Sequence, residues 1–214
     1  MHIPASAVIL FQGDSITDCG RNREDPQPNF SPSLGAGYAK IAAGMLLVQH
    51  ADKNLAIHNR GVGGDRVTRM ADRWRADCLD LKPDVLSILI GVNDTWHGTG
   101  KGLPIEVPLD VYEATYRKLL DDARQANPKV RFVLCPPFVL RCGAVDDRWF
   151  PEITDRMAIV KQIARDYDAV LVDFQAAFDE AVKTTAPDYW AADGVHPTLA
   201  GHTLMAQTWV EAVR

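Results

Sequence analysis

The chain of 214 residues is 47% hydrophobic and 24% charged, a composition that supports one globular domain, 1–214, with a substantial core. Its net charge is −5, and Arg69, Arg73 and Arg75 alternate with Asp72 and Asp77, so no basic face is offered and a nucleic-acid partner is not expected. No apolar run approaches the roughly 20 residues that span a bilayer. Met1–Pro4 opens without a basic segment and long apolar core, so the expectation is a cytoplasmic protein with no membrane partner.

The first predicted element is the apolar run Ala7–Phe11, read as a buried strand. It stops at Gly13-Asp14-Ser15-Ile16-Thr17-Asp18, which would present one hydroxyl at the mouth of a sheet. A Pro/Gly/Asn-rich stretch, Asp25–Gly37, then reads as a long functional loop. Ile41, Met45 and Val48 predict the first helix by their three-to-four spacing. A second strand, Leu55–Asn59, runs into the glycine-rich Arg60-Gly61-Val62-Gly63-Gly64-Asp65, and Val67, Met70, Trp74 and Cys78 suggest a helix after it. The most apolar strand, Val85–Ile90, ends at Gly91-Val92-Asn93-Asp94, and a second long loop covers His97–Pro108. Leu109, Tyr112, Tyr116, Leu119 and Ala123 mark a helix that Asn127-Pro128 should stop. Strand Val130–Cys135, a helix through Ile153, Met157, Val160, Ile163 and Tyr167, and strand Ala169–Asp173 follow. A short segment near Phe174–Val182 and a last helix over about Thr198–Val213 complete the chain.

Five nearly continuous apolar strands alternating with helices predict an α/β fold, a parallel sheet covered on both faces. Ligands of open α/β sheets bind beyond the carboxyl ends of the strands. That rule selects Gly13–Asp18, Arg60–Arg66, Gly91–His97 and Cys135–Trp149.

A serine hydroxyl becomes a useful nucleophile when a base, a group that orients the base and donors for an oxyanion converge on it. Of the six histidines, His196 stands out, because Asp193-Gly194-Val195-His196-Pro197 can fold its carboxylate back onto one imidazole nitrogen. The plain alternative is a helix-start turn with Asp and Pro in capping roles. The Ser15 N–H, an N–H from the glycine loop and the Asn93 side-chain amide are the candidate oxyanion donors. The glycine spacing does not match G-x-G-x-x-G and no lysine follows it, which argues against a nucleotide.

Together the blocks resemble the SGNH hydrolases, also called the GDSL esterase/lipase superfamily, over nearly the whole chain. Gly13 to Thr17 looks like the first block, Gly64 like the second-block glycine, Asn93 like the third-block donor, and Asp193 with His196 like the last pair. The resemblance implies a flavodoxin-like three-layer α/β/α sandwich with a five-stranded parallel sheet. It implies catalysis by Ser15, His196 and Asp193, and an oxyanion hole of Ser15, Gly64 and Asn93, with no cofactor. Members often carry serine where Gly63 stands, so a neighbouring glycine could supply the N–H instead. The region from Gly13 to Tyr38 looks like the carbohydrate-acetylesterase branch, including acetyl-xylan esterases. The implied partner is therefore a small ester, an acetylated oligosaccharide, with Asp14, Trp96 and Trp190 as candidate substrate contacts. A general short-chain aryl or alkyl esterase, a thioesterase and a lysophospholipase are the alternatives within the family.

Two other readings compete. A zinc deacetylase would use His196, His202 and Asp193 as ligands, but the chain has no H-E-x-x-H spacing, and His202 reads as a packed or solvated helix residue. A non-enzymatic binding module would use Asp14 and Asp65 and leaves Ser15, Asn93 and His196 without a role. Cys19, Cys78, Cys135 and Cys142 show no CxxC spacing and read as unpaired thiols. A homo-oligomer in which a second copy covers the tryptophan-bearing loops is a further expectation. Because the base must be neutral, activity should fall below the free-histidine value of about 6.5.

Overall fold

The strands predicted from apolar runs form one parallel sheet in the order β2-β1-β3-β4-β5. They are β1 (Val8–Gly13), β2 (Ala56–Asn59), β3 (Val85–Leu89), β4 (Arg131–Cys135) and β5 (Val170–Leu171). The protein is seen in a computed structural model that describes residues 1–103 and 107–214. Residues 104–106 of the expected loop His97–Pro108 lie outside the described residues. The order is that of doubly wound, flavodoxin-like sheets, with crossover helices on both faces.

Alternate residues of each strand feed opposite faces. Ile9, Phe11, Val85, Val133 and Cys135 pack under α2 (Tyr38–Gln49), α8 (Phe174–Ala181) and α10 (Leu199–Val213). Leu10, Leu86, Ile88 and Leu134 pack under α3 (Val67–Asp72), α4 (Trp74–Asp77), α6 (Leu109–Ala126) and α7 (Glu152–Asp166). The result is three layers. β3 is buried throughout, which explains its unbroken apolar run. Trp209 of α10 is fully buried in the first layer and donates its indole N–H to Ser87 Oγ at 2.9 Å, so its one polar atom is satisfied.

Two helices differ from expectation. The buried face of α2 is Tyr38, Ala39, Ala42, Ala43 and Leu46, not the stripe Ile41, Met45 and Val48, and Val48 is 81% exposed. Small residues let α2 lie close against α10, and Ile41 and Met45 are only partly buried against the core. The expected helix from Val67 to Cys78 is two short helices broken at Arg73, although Val67, Met70, Trp74 and Cys78 are all buried as anticipated. Arg73 breaks it because its guanidinium reaches Asp65 at 2.7 Å, Gln12 at 3.0 Å and the Arg60 carbonyl at 2.7 Å. Helix α6 ends at Ala126 beside Asn127-Pro128 as predicted, and α7 buries Ile153, Val160 and Ile163.

The loop over Asp25–Gly37 closes the β2 edge of the sheet. Asn29 donates its side-chain amide to the Leu55 carbonyl at 2.7 Å and accepts the Ile57 N–H at 2.9 Å. Its own N–H donates to the Ile57 carbonyl at 3.0 Å. An otherwise open ladder is thereby satisfied.

Candidate active site

The carboxyl ends of β1, β2 and β3 bring the predicted blocks to one side of the sheet. After β1, Asp14 caps a single helical turn, α1 (Ser15–Asp18), by accepting the Ile16 N–H on Oδ1 at 3.0 Å. That turn points the Ser15 side chain outward while Ile16, Thr17 and Asp18 are buried. The Ser15 N–H makes no hydrogen bond among the described residues.

Ser15 Oγ lies 2.8 Å from His196 Nε2, and His196 Nδ1 lies 2.7 Å from Asp193 Oδ2. The other carboxylate oxygen, Oδ1, accepts the backbone N–H groups of Val195 at 2.9 Å and His196 at 2.7 Å. Asp193 therefore binds both the ring and the main chain of the loop that carries the ring. Burial raises its affinity for a proton, but the His196 ring and these two N–H groups outweigh burial and hold the carboxyl below its ordinary value. An ionised carboxylate there fixes the proton on Nδ1 and leaves the Nε2 lone pair facing the serine hydroxyl.

The turn depends on Gly194. Its φ is +83°, and a Cβ would sit 2.5 Å from the carbonyl oxygens of Leu140 and Cys142. The Leu140 N–H donates to the Gly194 carbonyl at 2.8 Å, and the Ala144 N–H to that of Asp193 at 2.9 Å. The segment after β4 thus clamps the acid–base loop from behind.

On the β2 side, the Gly63 N–H is committed to Asp18 Oδ2 at 2.8 Å. Gly64, with φ +79°, has open space where a Cβ would stand, and its N–H makes no hydrogen bond among the described residues. The open donor of this loop is therefore at Gly64. The loop itself lies against the serine, since a Cβ on Gly63 would be 3.9 Å from Ser15 Cβ. From β3, Asn93 in α5 (Val92–Thr95) is 3% exposed and donates one amide hydrogen to the Asp65 carbonyl at 3.1 Å. A primary amide has a second hydrogen, which remains available.

Of the predicted substrate contacts, Asp14 is corrected. It is 1% exposed, and its carboxyl faces the interior beneath the serine turn, where no substrate reaches. Trp96 opens one π-helical turn, Trp96–Gly100, directly after α5. Its ring centroid is 5.6 Å from the His196 ring and 5.6 Å from fully buried Trp149, with Lys101 Nζ 4.6 Å from its face. Trp190 is half-buried with its ring against Phe178 and Tyr189, and its carbonyl accepts the Thr198 N–H at 2.8 Å. It anchors the segment that leads into the Asp193 loop.

His202 is engaged by its neighbours. Its Nδ1 accepts the Tyr38 N–H at 3.1 Å, and its Nε2 lies 3.5 Å from Cys19 Sγ. All four cysteines are unpaired thiols. Among the described residues no three His, Cys, Asp or Glu side chains are grouped as metal ligands, and no helix is long and apolar enough to cross a membrane.

Sequence reasoning missed the braces. Arg73 joins the ends of β1 and β2 to Asp65, donating also to the Gly13 carbonyl at 3.3 Å and pairing with Asp77 at 3.0 Å. Asn59 donates to the carbonyls of Thr17 at 2.6 Å and Leu34 at 2.9 Å, and accepts the Gly61 N–H at 2.9 Å. Asp18 accepts the N–H of Arg21 at 3.1 Å as well as that of Gly63, and pairs with Arg23. A polar residue amid an apolar periodicity, such as Arg73 between Met70 and Trp74, was the available signal.

With this geometry in place, the comparisons converge. The pattern of the GDSL-like lipase/acylhydrolase family matches residues 11–204. An acetylxylan esterase from Geobacillus stearothermophilus is 37% identical over 216 residues, covering 100% of this chain and 96% of the relative. Its crystal structure superposes with a TM-score of 0.90 at 36% identity, over 100% of this chain and 96% of that one. A protein described as a GDSL-like lipase, from Parabacteroides merdae, superposes with a TM-score of 0.94 at 42% identity, over 99% and 97% of the two chains.

Proposed function

The chain belongs to the GDSL-like lipase/acylhydrolase family, and on that premise we propose that this carboxylic ester hydrolase is a serine acetylesterase that removes O-acetyl groups from carbohydrates such as xylo-oligosaccharides. The observation that carries the reading is the 2.8 Å approach of Ser15 Oγ to His196 Nε2, together with N–H groups at Ser15 and Gly64 that have no partner among the described residues.

In this reading His196 Nε2 takes the Ser15 proton as Oγ attacks the ester carbonyl. The former carbonyl oxygen becomes an oxyanion held by the N–H groups of Ser15 and Gly64 and the amide of Asn93. His196 then gives its proton to the leaving sugar hydroxyl, and an acyl-serine remains. Water attacks that ester with the same base, acetate leaves, and Ser15 is restored. Asp193 orients the ring and stabilises the imidazolium formed in each half-reaction. Crystal structures of catalytic mutants of the Geobacillus enzyme replace a serine, an aspartate or a histidine, the same three residue types.

The acetyl preference rests on the relatives, which include an acetyl-xylooligosaccharide esterase, and on Trp96, whose ring lies 5.6 Å from that of His196. Unpaired cysteines fit the reducing cytoplasm as the place of action. The test compares hydrolysis of acetyl, butyryl and octanoyl nitrophenyl esters with acetate release from peracetylated xylobiose. Preference for acetyl together with sugar deacetylation supports the reading. Dominant octanoyl hydrolysis, or no sugar deacetylation, overturns the assigned substrate in favour of a general esterase of the same family.

A further inference from the structure

Directly before Ser15 lies a carboxyl group that the mechanism above does not use. Asp14 is 1% exposed, and while Oδ1 accepts the Ile16 N–H at 3.0 Å, Oδ2 is enclosed without a hydrogen-bond partner among the described residues. The charged groups around it are committed elsewhere. Asp65 is paired with Arg73 at 2.7 Å, and the same guanidinium is spread over Asp77, Gln12 and the carbonyls of Arg60 and Gly13. Asp94, from α5, accepts the Val67 N–H on both oxygens, at 3.1 and 3.2 Å, and has Arg156 and Arg66 within electrostatic range. From α2 and α6 come the phenols of Tyr38 and Tyr112, bonded to Thr17 Oγ1 at 3.2 Å and to the Ile90 carbonyl at 2.8 Å. Among the described residues no lysine, arginine or histidine side chain pairs with Asp14.

A carboxylate in such a place would be desolvated, uncompensated and flanked by two like charges. The un-ionised acid costs far less there, even with one oxygen unpaired. We propose that Asp14 is a positioning residue that works as an uncharged acid, fixing the Ser15 turn through the Ile16 N–H and keeping its proton while the oxyanion forms beside it. Losing that proton as the pH rises turns the site down. Burial first, then the charges of Asp94 and Asp65, push the carboxyl up to about 7 against the lowering effect of the Ile16 N–H.

The link to catalysis is electrostatic. Attack by Ser15 moves an electron pair onto the ester oxygen at the Ser15 N–H, and a charged Asp14 would place a second negative charge on the same turn. That penalty grows as the oxyanion forms, so it acts on the transition state more than on bound substrate. Asp14 passes no proton to substrate, since the serine proton goes to His196. The inference rests on the esterase reading of the site.

The test is the pH dependence of kcat/KM for nitrophenyl acetate in the wild type, Asp14→Ala and Asp14→Asn, from about pH 5 to about pH 10. The wild type should lose activity as pH rises through about 7, levelling off at the lower rate of the ionised form. Asp14→Ala should be slower below about pH 7 because the Ile16 N–H loses its acceptor, and, with no proton to lose, it should also lack the alkaline decline. Asp14→Asn keeps an oxygen for the Ile16 N–H and cannot ionise, so it should recover much of the loss and abolish the alkaline decline. A merely structural aspartate would leave that limb in place. An unchanged alkaline limb in Asp14→Asn, or no gain over Asp14→Ala, overturns the inference. Infrared spectra of the wild type give a further check: since burial also raises Asp94, to about 6, an un-ionised carboxyl band should persist above that pH and vanish as the alkaline limb is traversed, and Asp14→Asn should lack the persisting part. Its absence from the wild type would also overturn the inference. A wild type that hydrolyses no ester at any pH would instead sink the esterase reading.

Discussion

The Gly63 N–H is held by Asp18 Oδ2 at 2.8 Å. With Gly63 occupied, the Gly64 N–H is the unpaired donor of the Gly63-Gly64 pair among the described residues and the candidate for the oxyanion. Gly63→Ala should therefore be mild, because the new Cβ would meet nothing closer than Asp18 Oδ2 at 3.5 Å. We expect turnover within about threefold of wild type, a change below the worth of one ordinary hydrogen bond. Gly64→Ala places a side chain at φ +79°, strain of about 1–2 kcal/mol that tilts the donor, and should cost about ten- to a hundredfold. Steady-state kinetics on both variants check this. The reverse order of effects would move the donor to Gly63.

Asn93 carries a second expectation. Asn93→Ala removes a buried side-chain donor from the oxyanion site, and kcat should fall by about 10²–10³ with little change in KM. The lost bond to the Asp65 carbonyl should cost about 1 kcal/mol of stability, so the variant still folds and the rate loss is readable. Unchanged kcat would remove Asn93 from the site.

Asp193 makes three contacts to the His196 loop, and Asp193→Asn spares the shape but removes the charge. The amide can offer its N–H to Nδ1, which forces the proton onto Nε2 and leaves no lone pair for Ser15. We expect kcat to fall by about 10³–10⁴, with substrate binding little altered. Measuring kcat and KM separately checks the point. A fall of less than tenfold would mean that the carboxylate does not orient the base.

His202 should shape stability at acid pH and leave the chemistry alone. It is 7% exposed, and burial, with a smaller contribution from His196, pushes its imidazole down to about 4 from 6.5. The folded protein therefore binds fewer protons there than the unfolded chain between those values. Stability is full above about 6.5 and is lost as pH falls toward about 4, by about 3 kcal/mol. His202→Asn, which can still accept the Tyr38 N–H, should lack this component. Urea unfolding of both proteins at about pH 7 and about pH 4 gives the difference. Parallel losses in the two proteins would contradict it.

The strands, the covered parallel sheet and the chemistry-bearing blocks were legible because each depends on local signals. Apolar runs marked strands such as Val85–Ile90, abrupt polar stops marked Ser15 and Asn93, and the Asp193-Gly194-Val195-His196-Pro197 turn marked His196. What escaped were properties set by pairing at a distance. The inner face of α2 was misread because Ala39, Ala42 and Ala43 pack closely against α10, a choice of partner that hydrophobicity alone does not reveal. Asp14 looked like a ligand-facing acid because nothing in Gly13-Asp14-Ser15 says which way a carboxyl turns. Arg73 looked like surface charge because its partners, Gln12, Arg60 and Asp65, come from other elements. Between Gly63 and Gly64 the sequence left a choice, and the Asp18 carboxylate, which takes the Gly63 N–H, favours Gly64.

The account depends on His196 drawing the proton from Ser15, and labelling with a serine-reactive fluorophosphonate tests that step most directly. Intact mass and peptide mapping should show a single adduct, on Ser15, formed by wild type, absent in Ser15→Ala and slowed by about 10³-fold or more in His196→Ala. Labelling of another residue, or equal labelling rates with and without the His196 imidazole, would contradict it.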